Sequence, residues 1–420
     1  MPSLLITDVR IHTGTAVIER GWVHVVDNEI RSVGSSADAP PASNESTTVL
    51  SRPNHTLLPG LLDSHVHATS PVAVEQSIRF GVTTVLDMHN EPDAINALVT
   101  RAGSTNQVAD VKSAFLAATV KGGWPEAVVT AHDASEETLR KISTWPNIRT
   151  ASDASKFVTD NASQGASYIK LMQESGTGLV FPPIPTPPPS IQRALVAAAH
   201  AHNLPAVGHA LCLPDTLVLL DAGVDGLTHT FFDQRPTEEV VEAYVRTGAW
   251  CCPTLVAVGS LTGEGAEGAR RLAGDGRVRG RLEGAQRENL GRCMGFAGEG
   301  GRFEFAVESV RELRRRGVRV IAGSDAAGPA LGTAWGLSLH HELALFVQHC
   351  GFTPFDAINA ATALPASCFG FEDRGRIEPG LKADLMLVEG NALEDVGRLL
   401  DLRGVWRGGE ILQATWRCGC

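Results

Sequence analysis

The sequence predicts an α/β fold: a (β/α)8 TIM-type barrel with a small β-sandwich domain built jointly by the two chain ends. Three observations carry this. The middle of the chain alternates short apolar runs with longer stretches of helical periodicity, the pattern of repeated βα units and a parallel sheet. Both ends alternate apolar and polar residues with period two, as half-buried strands do. The length, 420 residues, suits a barrel of ~250 residues plus a second module.

In chain order, Leu4–His12 and Gly21–Val33 read as strands, with a turn at Asp27-Asn28-Glu29. The Ser-, Ala- and Pro-rich stretch Ser35–Thr47 reads as a loop. Eight apolar runs then end near His67, Leu86, Ala118, Leu171, His209, His229, Leu255 and Asp325. Convincing helices lie between them, such as Ser190–His202 with Ser190 as N-cap, and Phe303–Arg316. Gly259–Gly301 is too long for a plain loop and predicts a helix or two. Lys382–Val388 and Gly404–Arg407, followed by the Gly408-Gly409 turn, return to strand character. Either end alone offers too few strands for a stable sheet. Residues 1–55 and 366–420 are therefore assigned to one composite sandwich, and 56–365 to the barrel.

Composition narrows the function. The net charge is −11 and no basic stripe is visible, which argues against a nucleic-acid partner. The basic run from Arg311 to Arg319 reads as a solvated helix face. No apolar stretch reaches 18 residues, so no membrane span is expected. The start of the chain lacks the basic region of a secretory signal, and the eight cysteines show no CxxC pairing. A cytoplasmic location follows as the expectation. Cys418-Gly419-Cys420 reads as a frayed tail.

In a barrel, the C-terminal ends of the strands face the active site. There the sequence sets His65 and His67, Lys170, His209, His229 and Asp325. Period two puts His65 and His67 on one face of the first strand, both able to reach one metal ion. Taken singly, each residue has an ordinary structural reading. Taken together at one end of five strands, imidazoles and a carboxylate form the preferred ligand set of zinc and related ions.

Pro59–His67 followed by Gly81-Val82-Thr83-Thr84-Val85 resembles the opening of the amidohydrolase superfamily. Ser324-Asp325-Ala326, His341-Glu342-Leu343, Ala360–Ala363 and Gly375–Leu385 follow in the order of its imidazolonepropionase-like branch. That branch includes Xaa-Pro and related dipeptidases and an ochratoxin-hydrolysing amidase. The resemblance implies two divalent metal ions, with zinc expected and manganese, cobalt or iron also compatible. It implies His65, His67 and Asp325 on one ion, His209 and His229 on the other, and Lys170 bridging both as a carbamate made with carbon dioxide. A metal-bridging hydroxide would then attack an amide, peptide or cyclic-amide carbonyl, with Asp325 as proton shuttle. The same centre also serves lactone hydrolysis, deamination and decarboxylation, and a non-enzymatic scaffold is the remote alternative.

Three residues are candidate substrate contacts: Trp124, which stands where the branch commonly has histidine, His89 and His340. Thr228-His229-Thr230 departs from the Glu-His-Gly usual in the branch. The expected partner is a small-molecule substrate, and the sequence leaves a homo-oligomer open.

Overall fold

The computed structural model describes residues 3–43, 45–282, 284–328 and 330–413; the Cys418-Gly419-Cys420 tail lies outside them. The N-terminal strands are β1 (Ser3–His12), β2 (Val17–Val26), β3 (Glu29–Ser35), β4 (Thr47–Ser51) and β5 (His55–Pro59). The Asp27-Asn28 turn behaves as expected, with β2 and β3 antiparallel across it.

The central strands are β6 (Leu61–His67), β7 (Val82–Asp87), β8 (Asp110–Ser113), β9 (Ile169–Met172), β10 (Ala206–His209), β11 (Gly226–Thr228), β12 (Trp250–Cys252) and β13 (Ala326–Ala327). They form two parallel four-stranded sheets, ordered β12-β11-β10-β9 and β13-β6-β7-β8. Isolated parallel bridges join Ala118, beyond β8, to Leu171 of β9, and Val320, ahead of β13, to Cys251 of β12. Nearly every residue of β6 to β12 is buried, as parallel strands with helices outside require.

The last strands are β14 (Leu385–Glu389), β15 (Leu402–Arg407) and β16 (Glu410–Ile411). They join the N-terminal strands in one eight-stranded sheet, ordered β16-β15-β14-β5-β1-β2-β3 with β4 on β1. Strand β5 is the splice, antiparallel to β14 and parallel to β1. One apolar cluster draws on both ends: Ile6, Ile11, Val23 and Ile30 pack with Leu385, Leu387 and Trp406. Arg374 fastens the sheet to the central strands. Its buried guanidinium donates to Asp110 Oδ2 (2.6 Å), Thr84 Oγ1 (2.9 Å) and Asp373 Oδ1 (2.8 Å).

Three sequence expectations need correction. The third run does not reach Ala118 as a strand, because β8 stops at Ser113. The seventh run does not reach Leu255 as a strand: β12 stops at Cys252, and Leu255 opens the helix Leu255–Thr262. Pro253 has no N–H to continue a ladder, and Thr254 turns the chain at φ 48°. That helix is buried on every side, so its apolar run could not be told from a buried strand by periodicity. Ser190 is not an N-cap either. The helix runs Pro189–Ala201 with Pro188 at the cap, because the fixed φ of proline suits the first helical position. The Gly259–Gly301 region does hold two α-helices, Ala266–Ala273 and Gly284–Leu290, and Phe303–Arg315 is helical as expected.

Candidate metal centre

The strand ends converge on a buried cluster. His65 and His67 project from the end of β6, and both Nε2 atoms approach Asp325 Oδ1, at 3.2 and 3.3 Å. One ligand atom from each of the three lies within 4.8 Å of the others, a group that could hold a metal ion. His229, just beyond β11, packs its ring 4.8 Å from that of His65 and reaches toward Asp325 Oδ2 at 4.0 Å. His209 ends β10, and its Nδ1 meets His229 Nε2 at 3.1 Å. Lys170 on β9 is buried and contacts the Thr228 hydroxyl. All six residues expected as ligands therefore come together.

Local chemistry explains the poses. Asp325 sits at φ 51°, a left-handed conformation that aspartate tolerates better than most residues. Its amide donates to the His65 carbonyl at 2.8 Å. Before it, Ser324 is pinned by Asp63: the Ser324 amide donates to Oδ1 (2.9 Å) and its hydroxyl to Oδ2 (2.6 Å). At Gly323 a Cβ would lie 2.5 Å from Cys252 Sγ and 2.9 Å from His65 Cβ, so only glycine lets the chain pass.

Hydrogen bonds set which ring nitrogens face inward. His67 Nδ1 donates to the His89 carbonyl (3.3 Å), leaving the Nε2 lone pair toward Asp325. His229 Nδ1 is engaged by the Thr254 hydroxyl, leaving Nε2 toward His209. Among the described residues, His65 Nδ1 and Nε2 and His209 Nε2 are buried without a hydrogen-bond partner. Orphaned imidazole nitrogens of this kind are costly in a protein interior unless something else satisfies them. The donor set, neutral imidazoles with a carboxylate, fits divalent zinc-like ions.

Electrostatics agree with that fit at three of the four imidazoles; at His67 burial is outweighed by Asp325, which raises the ring above the usual imidazole range. Burial, reinforced by Lys170 nearby, holds His65 and His209 well below the usual imidazole range, and burial does the same to His229. Neutral imidazole is the form that ligates metal. Burial pushes Lys170 down to about 7. Burial alone would raise the Asp325 carboxyl, but His229, His67 and Lys170 outweigh it and keep the group ionised.

The candidate substrate contacts separate. Trp124 stacks on His209, ring centroids 5.4 Å apart, and meets Phe181 edge-on at 6.2 Å. His89 gives the cluster its carbonyl, while its Nδ1 accepts from the Ala117 amide (3.0 Å) and its ring packs on Trp145. His340 is not brought to the cluster. Its Nε2 donates to the Phe80 carbonyl at 2.7 Å, beside the residues that lead into β7, where that strand begins rather than ends.

Sequence reasoning missed Asp63, Thr254 and Glu174 as supports. Glu174 is fully buried, two residues past the end of β9, with Oε2 3.6 Å from His209 Nε2. Its place follows from register, which pairs His209 with Met172; the single sequence carries no register signal.

The sequence profile of the Amidohydrolase family matches residues 56–415. The chain is 33% identical over 102 residues to imidazolonepropionase of Deinococcus deserti, covering 24% of this chain and 25% of that protein. The match thus spans about a quarter of that curated relative's own length. A solved Xaa-Pro dipeptidase with bound methionine superposes with a TM-score of 0.74 at 21% identity, over 97% of this chain and 99% of that one. Molinate hydrolase superposes with a TM-score of 0.76 at 16% identity, over 100% and 96%. These neighbours share a TIM-barrel-like α/β fold with the chain described above. A profile match across most of the length, on a chain whose strand ends carry this histidine and aspartate group, settles the family: the protein belongs to the Amidohydrolase family.

Proposed function

We propose that the chain is a metal-dependent hydrolase of carbon–nitrogen bonds, acting on an amide, peptide or cyclic amide of a small molecule. The architecture we assign to it is a closed (β/α)8 barrel with a composite sandwich from residues 1–55 and 366–420. One observation carries the reading. Two sets of imidazoles converge, His65 with His67 on Asp325 and His209 with His229 on each other, and buried Lys170 belongs to the same cluster. The names of the relatives, an imidazolonepropionase and a Xaa-Pro dipeptidase, support the bond type.

His65, His67 and Asp325 would hold one divalent ion and His209 and His229 a second, with zinc the ion we expect. When bound, such a pair supplies Lewis acidity toward a carbonyl and lowers the pKa of water. The chain's own residues do the rest. Asp325 stays ionised and is the group placed to accept a proton at a carboxylate oxygen and deliver it to the leaving nitrogen. Lys170, lowered to about 7 by burial, would offer the free amine to carbon dioxide; as the N–C bond forms the nitrogen releases a proton, and the carbamate would present two oxygens sharing one negative charge where an ammonium has no lone pair. Trp124 lines the His209 side and would meet the apolar part of the substrate.

The test is elemental analysis of the pure protein, then turnover of N-acyl amino acids, dipeptides, lactams and lactones. The expected result is near two metal ions per chain and hydrolysis within the amide, dipeptide or lactam group. A pure protein that takes up no metal when incubated with zinc, or one that turns over lactones alone, overturns the reading. Lys170→Ala should lose activity and recover part of it with added short carboxylic acids. A fully active Lys170→Ala enzyme rules out the bridging carbamate.

A further inference from the structure

We infer that Glu174 is a positioning residue for the second metal site: it takes the proton of His209 Nε2 in a hydrogen bond and thereby turns the Nδ1 lone pair inward. The inference rests on the metal-centre reading above. Its ground is a mismatch of two buried groups that face each other. His209 Nε2 is buried and has no hydrogen-bond partner among the described residues. Glu174 Oε2 stands 3.6 Å from it, on a side chain with no solvent exposure. That carboxylate already accepts from two backbone amides, Gly176 to Oε1 (2.8 Å) and Leu211 to Oε2 (3.1 Å). Burial, reinforced by Asp215, pushes this carboxyl up to about 8; a third donor is what would favour its ionised form, which offers about four lone-pair sites. The unpaired ring nitrogen is the nearest way to supply a third.

The surrounding loop holds the carboxylate still. Asp215 accepts from the Ser175 amide (2.8 Å) and from Gln173 Nε2 (2.9 Å), so the residues on both sides of Glu174 are tied to one anchor. Gln192 extends the brace, donating to Gln173 Oε1 (2.9 Å) and to the Met172 carbonyl (3.0 Å). On the far side of the ring, His209 Nδ1 lies 3.1 Å from His229 Nε2. With Nε2 protonated, Nδ1 carries a lone pair, which accepts from His229 Nε2 when no cation is bound and is free to ligate one when it is. Ligating histidines commonly give their other N–H to a carboxylate, which fixes tautomer and ring angle. Glu174 is the carboxylate placed to do so here.

Glu174→Gln tests this. The amide keeps one acceptor oxygen for the backbone, while its NH2 cannot accept from His209. Zinc binding is followed by equilibrium dialysis on parent and variant, alongside thermal melts. The expected result is one site at the parent affinity and the other about 10–100-fold weaker. Parent-like affinity at both sites overturns the inference, as does equal weakening of both sites together with a lowered melting temperature, which marks a merely structural role. If the parent itself binds no zinc, the metal-centre reading fails and the inference falls with it. Should the variant not fold, nitrogen-15 NMR of histidine-labelled, metal-free parent decides. A His209 proton on Nε2 supports the assignment, and one on Nδ1 overturns it.

Discussion

A backbone angle of φ 51° makes Asp325 unusually open to one informative replacement, because asparagine shares its tolerance of the left-handed region. Asp325→Asn should therefore fold as the parent does, yet lose the charge that His229, His67 and Lys170 stabilise there. Turnover should drop by about 10²–10⁴-fold, the usual worth of a positioned proton acceptor. A variant within tenfold of the parent, by steady-state kinetics with matched metal content, would remove Asp325 from that role. At this scale the sequence was readable where spacing alone fixes direction. His65 and His67, two apart on a strand, had to point the same way, and both Nε2 atoms do approach Asp325. It was unreadable where direction depends on a partner's register. Glu174 reaches His209 only because Met172 sits across from that histidine, and His340 turned out to serve the Phe80 carbonyl.

Among the helices, Leu255–Thr262 is capped by another helix rather than by its own flank. Glu342, fully buried on the helix Leu337–His349, accepts from the Leu255 and Val256 amides at 2.8 and 2.9 Å. Glu342→Ala would strand two buried donors, at a cost of about 1–3 kcal/mol each. The pH dependence has a definite sign. Burial, only partly offset by the two amides, pushes the Glu342 carboxyl up to about 8, against ~4.3 for the unfolded chain. The folded state thus binds this proton more tightly, so the group's stabilising effect is full below ~4.3 and is lost as pH rises toward 8. Glu342→Gln, which cannot ionise, should melt with a shallower decline between pH 5 and 8 than the parent. Identical slopes in calorimetry would show that Glu342 does not titrate there. The same helix shows why the seventh strand was misjudged: with every side buried, its apolar residues have no polar face to reveal a period. Strands β6 and β10, by contrast, end at the histidines the sequence indicated.

Over the whole molecule, Arg374, ahead of β14, ties that segment to Asp110 of β8 alongside Arg407 of β15, and its side chain is 2% exposed. Arg374→Met would leave Asp110 with its nearest cation gone. Breaking such a buried pair costs about 3–5 kcal/mol. Urea denaturation should show a clearly lower midpoint, and a change under ~0.5 kcal/mol would mean that the guanidinium is not what holds that tie. Strand alternation at both ends indicated that they belong together, because neither could bury its apolar face alone. What periodicity could not convey is that β5 does the joining, since five residues ahead of a longer apolar run blend into it. The splice at β5 also dictates an order of events during synthesis. Leu57 and Leu58 leave the ribosome long before their antiparallel partners Leu387 and Met386 are made. At about 5–20 residues per second the delay is roughly 15–65 s. For that interval an apolar strand edge stands open, exposed to any chaperone or neighbouring nascent chain able to pair with it.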